Sequence, residues 1–241
     1  MVWVGPFARG AGPFESARQL PRCAARVPDM TGVKRLGIVS VAFGTECTYP
    51  EAGRRAAELG FDHIDIGLDR LVGEEPELAL PIGDRIGSTP RTGCTVRPPR
   101  KCTWEEGVAF LRQQPGIRVE PGPASLLDTA ESIRAMCEEV PGLRLTLDTG
   151  WSVYCGFDPL EVADLVGHLQ LRQAKPGTPQ MHIDEEGDVD FPAVFAGFAA
   201  IGYQGLFSVE YFNLPDLKLP LEDPVGWSVD LMHRVRPMIT A

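Results

Sequence analysis

Four short apolar segments of this chain end in a carboxylate or an amide. Glu120 closes IRVE, Asp148 closes LRLTLD, Gln170 closes HLQ and Glu210 closes LFSVE. The segments between them read as helices: SLLDTAESIRAMCEEV over 124–139, DPLEVADLVG after Asp148, and FPAVFAGFAAIG before the last segment. Strands that alternate with helices form a parallel sheet, because each right-handed crossover brings the chain back to the same edge. The four polar ends then share one edge. In a barrel that edge is the C-terminal mouth, where the strand ends converge.

The same alternation begins at Lys34. RLGIVSVAF reads as a strand, YPEAGRRAAELG as a helix with Pro50 in its first turn and Gly60 as its stop, and FDHIDIG as a second strand. Between 68 and 102, LALPIGDRI and GCTVRPP read as two short strands with almost no helix between them. TWEEGVAFLRQQ restores the pattern, with Thr103 as N-cap and Glu106 completing a capping box, and 224–238 is a closing helix. With about eight strands, the expected fold is α/β, a closed TIM (β/α)8-type barrel with one or two helices missing or degenerate in its first half. An open doubly wound sheet is the runner-up, weakened because no GxGxxG follows the first strand. The barrel is expected to occupy 33–241 as a single domain. Residues 1–32, rich in Gly, Pro and Arg without a sustained period, are expected to be an N-terminal extension, with a lid as the alternative.

Composition narrows the partners. A formal net charge of −10 argues against nucleic acid and anionic membrane, which are recognised by clustered Lys and Arg. No apolar run reaches the roughly 20 residues that span a bilayer. The six cysteines include no CxxC pair, and no secretory leader is evident. The expectation is a cytoplasmic protein with reduced thiols and a small-molecule substrate, and a homo-oligomer is compatible with all of this.

Carboxylate and amide oxygens are hard donors suited to an octahedral divalent ion, so Glu120, Asp148, Gln170 and Glu210 are read as ligands of one Mn²⁺, Mg²⁺ or Co²⁺. Without a cation, such a group would be costly to bury. The competing account is that each residue separately caps a helix or pairs with an arginine. His168 shares a side of its strand with Gln170 and is either a substrate contact or a satisfied core imidazole. Trp151 is a substrate platform or mouth packing. Arg172 and Lys175 bind a substrate carboxylate or phosphate, or form surface ion pairs. His63 and His233 are expected to be structural or exposed, His182 a loop residue, and Glu186 a complement to the helix start at 191.

These segments resemble the xylose isomerase-like TIM barrels. GFDHIDIG, with Asp65, is similar to the second strand of that family, and RVEP, LTLDTG, HLQL and GLFSVEY to its four metal-bearing strands. GDVDFPAVFAGFAAIGYQG resembles its seventh helix and the approach to the last strand. The usual ligands there are Glu, Asp, His and Glu. Gln170 stands where the third is expected, as in hydroxypyruvate isomerase, the closest resemblance in motif and one that points away from the His-rich endonuclease IV. Trp151 stands where many relatives carry a substrate-contacting His. The resemblance implies an isomerase or epimerase that moves a C–H proton through an enediolate, with Glu120 and Glu210 as the catalytic acid and base. A dehydratase on the same scaffold is the alternative within enzymes, and a barrel that has lost catalysis and serves as a binding protein is the alternative outside them.

Overall fold

Polar and apolar residues alternate along the central strands, and in the computed structural model this alternation becomes an inside and an outside. The structure describes residues 36–65, 87–88, 95–96, 103–113, 118–123, 125–213 and 219–240. The expected N-terminal extension and all of LALPIGDRI lie outside them. Eight parallel strands form one sheet: β1 (Leu36–Val39), β2 (His63–Asp65), β3 (Gly87–Ser88), β4 (Thr95–Val96), β5 (Arg118–Val119), β6 (Arg144–Asp148), β7 (Val166–Leu171) and β10 (Leu206–Val209). Their hydrogen-bonded order is β3-β2-β1-β10-β7-β6-β5-β4. The first strand pairs with the last, which is the cyclic order of a (β/α)8 barrel cut between its third and fourth strands; a doubly wound sheet has no such pairing.

Contacts across the sheet show how far it curls. His168 on β7 and Asp65 on β2 are three strands apart, about 14 Å in a flat sheet at ~4.8 Å per strand. Yet His168 Nε2 lies 2.8 Å from Asp65 Oδ2. His63 Nε2 similarly reaches Ser208 Oγ at 3.1 Å across β1. It passes over Gly37, where a β-carbon would run into the imidazole ring. The concave face therefore carries His63, Asp65, His168, Gln170, Ser208 and Glu210, all buried. The residues between them, including Ile38, Ile64, Leu145, Leu147, Leu169, Leu171, Phe207 and Val209, join the hydrophobic core with the helices. The closure expected of a regular barrel is not made among the described residues: no ladder joins β3 to β4, each only two residues long. Six residues separate them in sequence, too few for a crossover helix.

Local chemistry sets the helix starts. In α1 (Tyr49–Glu58) Thr48 caps the helix, Pro50 stands in its first turn, and Gly60 follows at φ +90°. The predicted capping box opens α2 (Trp104–Arg112): Glu106 N donates to Thr103 Oγ1 and Thr103 N to Glu106 Oε2. The helix expected from 124 starts later, as α3 (Ala130–Glu139), because extended Thr129 caps it through Ser132 N. DPLEVADLVG forms a 3₁₀ helix, Pro159–Leu165, behind an Asp158–Glu161 box. Asp190 caps α5 (Phe191–Ala200), and α6 (Pro224–Thr240) closes the chain.

Two elements were not expected. TGWSVYC forms α4 (Thr149–Cys155), directly after β6. The polar stretch after Leu171 is an antiparallel hairpin, β8 (Gln173–Lys175) and β9 (Thr178–Met181), that turns at Pro176-Gly177 with Gly177 at φ +79°. It is fastened over the end of the last strand. Tyr211 Oη accepts from Gln173 N at 3.1 Å and donates to Met181 O at 2.7 Å. Gln180 exchanges two bonds with the Phe212 backbone, at 3.1 and 3.2 Å. No described helix is long and apolar enough to cross a membrane.

Candidate active site

Glu120, Asp148 and Glu210 follow or end β5, β6 and β10 on the concave side. Donor oxygens of the three lie within 4.8 Å of one another, and all three residues are buried. β5 and β10 are themselves three strands apart, so barrel curvature and not sequence proximity makes this cluster. Strand register sets Gln170 directly beside Asp148 on one side and Ser208 on the other, and it too is buried. The four strand-end residues singled out in the sequence therefore gather at one end of the barrel.

Each carboxylate has a different environment. Asp148 does what the competing account allowed, both capping and pairing. Its Oδ1 accepts from Gly150 N at 2.7 Å and Trp151 N at 3.4 Å at the start of α4, and its Oδ2 accepts from Arg172 Nη2. Burial still pushes its carboxyl from the usual 3.8 up to about 6, with Glu120 adding to the rise and Arg172 and the two backbone N–H groups opposing it. Glu210 has no such help: neither carboxyl oxygen makes a hydrogen bond. Burial, joined by Asp148 and Glu120, holds it well above the normal carboxylate range. A buried carboxyl without donors is an open acceptor, for a proton or for a cation.

The secondary candidates divide. Arg172, two residues beyond Gln170, is completely buried, with its guanidinium 4.6 Å from the Trp151 ring centre and 5.0 Å from that of Phe212. Trp151 is thus a platform, but for this arginine. His168 is buried one layer below Gln170 and bonded to Asp65. Lys175 is exposed at the hairpin turn and is not among the side chains gathered here. His63 is buried inside the barrel, His182 is bonded to Asp230 on α6 at 3.0 Å, and His233 is exposed. Sequence reasoning left two contributors out of the site: Asp65, named only within the second-strand resemblance, and Gly150. Asp65 has the same parity as His63 in HID, a usable signal. Gly150 keeps Arg172 in place, since a β-carbon there would stand 2.7 Å from Arg172 Nε and 3.0 Å from Pro179 O.

The donor set suits one hard divalent ion. Octahedral oxygen bonds of about 2.1 Å place donor oxygens ~3.0 to ~4.2 Å apart. A cluster already within 4.8 Å needs only a small contraction.

Comparison with known proteins agrees with this architecture. Residues 109–235 match a family described as the xylose isomerase-like TIM barrel. Similar solved structures include a 3-keto-D-glucoside 4-epimerase from E. coli, 17% identical with TM-score 0.60, which covers 85% of this chain and 100% of its own. A D-psicose 3-epimerase from Clostridium cellulolyticum H10 is 12% identical with TM-score 0.62, over 86% of this chain and 100% of its own. A probable 3-DHS dehydratase from Bacillus anthracis is 15% identical with TM-score 0.62, over 85% and 99%. At these identities the likeness is one of fold. No curated protein matches the chain.

Proposed function

Since this chain belongs to the xylose isomerase-like TIM barrel family, we propose that it is a divalent-metal-dependent isomerase or epimerase of a small sugar or hydroxy-carbonyl compound. The observation that carries the proposal is the buried cluster of Glu120, Asp148 and Glu210, with Glu210 open to a proton or a cation. Glu120, Asp148, Gln170 and Glu210 would hold the ion. Once bound, it supplies a Lewis acid that polarises a carbonyl and offsets the charge of the enediolate.

The chain's own residues do the proton work. Glu210 takes the proton from the carbon next to the carbonyl, and Glu120 returns one at the neighbouring or opposite position. Both stand at the barrel mouth, reaching the reacting carbons from different strands. Burial raises the basicity of Glu210 and a cation lowers it, and proton transfer near neutral pH uses the balance of the two. Trp151 and His168 form the wall and floor of the site, and its surroundings exclude bulk water. Gln170 in place of an imidazole supports a substrate of the hydroxypyruvate isomerase kind. The six cysteines without a CxxC pair support a reducing, cytoplasmic setting.

Solvent deuterium provides the test. Protein loaded with Mn²⁺ should exchange the α-hydrogen of a trial ketose or hydroxy-keto acid, and Glu120→Gln and Glu210→Gln should each abolish the exchange. Absence of exchange across a substrate panel, together with no bound metal, would leave a binding protein. Elimination uses the same base and the same Lewis acid, so a new enone absorbance with release of water would assign a dehydratase.

A further inference from the structure

We propose that Arg172 is the built-in counter-ion of the carboxylate cluster, and that a divalent ion binds there by taking Asp148 Oδ2 from its guanidinium. This inference rests on the metal reading of the site and adds to it a residue that sets metal affinity.

Asp148 has one oxygen to offer. Its Oδ1 is engaged by Gly150 N and Trp151 N, bonds that start α4, and releasing it would uncap the helix. Oδ2 is the oxygen held by Arg172. A cation ligated by Asp148 without disturbing α4 must therefore contend with the guanidinium. Two cations sharing one carboxylate lie about 5 Å apart, close enough to repel strongly away from bulk water.

Arg172 is held in a way that permits withdrawal. A buried guanidinium can donate five N–H bonds. Here Nη2 donates to Asp148, whereas Nε and Nη1 make no hydrogen bond. The head group is otherwise kept by the rings of Trp151 and Phe212, a non-directional contact that survives sliding. The backbone beneath it is fixed: Arg172 N donates to Thr149 Oγ1 and Thr149 Oγ1 donates to Arg172 O, both at 2.9 Å. The root is pinned and the head is loosely held. In the metal-free protein, Arg172 offsets charge that three gathered carboxyls would otherwise leave uncompensated. When a divalent ion arrives, the guanidinium leaves Asp148 and remains on its aromatic platform.

The test uses chelator-stripped full-length protein and Mn²⁺ alone. Arg172→Met should bind Mn²⁺ at least about tenfold more tightly than the wild type, because a competing charge is gone. It should also melt several degrees lower without metal and recover with it. Arg172→Lys, which keeps the charge, should stay near wild-type affinity. In the wild type, Mn²⁺ should change tryptophan emission with the same midpoint as binding, and Trp151→Phe should remove that change. A purely structural arginine would lower both stability and Mn²⁺ affinity on replacement, and that result overturns the proposal. If Arg172→Met fails to fold, unchanged Trp151 emission at saturating Mn²⁺ overturns it instead. Absence of Mn²⁺ binding in wild type and variant alike would refute the metal reading itself, whereas binding in both without tightening would refute only the role of Arg172.

Discussion

Replacing Gly150 by Ala sets two physical expectations against each other. Gly150 is the second residue of α4, and an alanine inside a helix ordinarily stabilises by about 0.5–1 kcal/mol over glycine. Here the added methyl would stand 2.7 Å from Arg172 Nε, 3.0 Å from Pro179 O and 3.2 Å from Asp148 Oδ1. Pro179 O and Asp148 cannot easily move away, and the Arg172 head group can only slide along its aromatic platform. Arg172 is buried between two rings, Pro179 O belongs to the backbone of the fastened hairpin, and Asp148 is tied to the start of the helix. Overpacking of a tight interior costs about 1–3 kcal/mol, so the net expectation is a loss of roughly 1–2 kcal/mol. For a domain of this size that is a fall in Tm of about 3–6 °C. Urea and thermal unfolding of the chelator-treated protein at neutral pH measure it directly. A variant as stable as the wild type, or more so, would mean that helix propensity governs this position and that the packing of Arg172 against the Gly150 backbone is misjudged.

Three further outcomes are expected. The Asp148 carboxyl is raised from 3.8 to about 6, so the folded state binds more protons, and its contribution is favourable at low pH and lost as pH rises through that window. The loss approaches about 3 kcal/mol above pH 6. The stability difference between metal-free wild type and Asp148→Asn should therefore move against the wild type between pH 4 and pH 6.5, and a flat difference would contradict the burial argument. Glu210→Gln should leave metal-free stability equal or higher, since it removes a carboxyl with no donors, while weakening Mn²⁺ binding by about tenfold or more; calorimetry in both states would expose a structural role if stability fell by over ~2 kcal/mol. Gln170→His should shift preference toward Co²⁺ and Zn²⁺ over Mg²⁺, because imidazole is the softer donor, and competition titrations that leave the order unchanged would place position 170 outside the ligand set.

Much of the fold is local and could be read in the chain. The N-caps at Thr48, Thr103 and Asp158 depend on residues three apart, so the sequence carries them whole. The HID, RVE, LTLD, HLQL and FSVE alternation is a period of two that any strand imposes, and with its helical partners it was enough to indicate a parallel barrel. The same period placed Glu120, Asp148, Gln170 and Glu210 at strand ends. What it left open was whether those ends meet.

Curvature decided that. Glu120 and Glu210 come together because three intervening strand spacings are bent around an interior, a property of the whole sheet that no window of sequence contains. The link between His168 and Asp65, 103 residues apart in the chain, has the same origin. The hairpin at 173–181 looked like a polar loop because the bonds that fasten it to the barrel go to Tyr211 and Phe212, some 30 residues away. Arg172 is the clearest case. By its sequence alone it could be a substrate ligand or a surface ion pair, and burial between Trp151 and Phe212 beside Asp148 makes it part of the site's own charge balance. The sequence by itself determined the donor types and the edge of the sheet they occupy; the tertiary structure decided their distances, their burial and the cation set among them, because those depend on how strands distant in the chain curve toward one another.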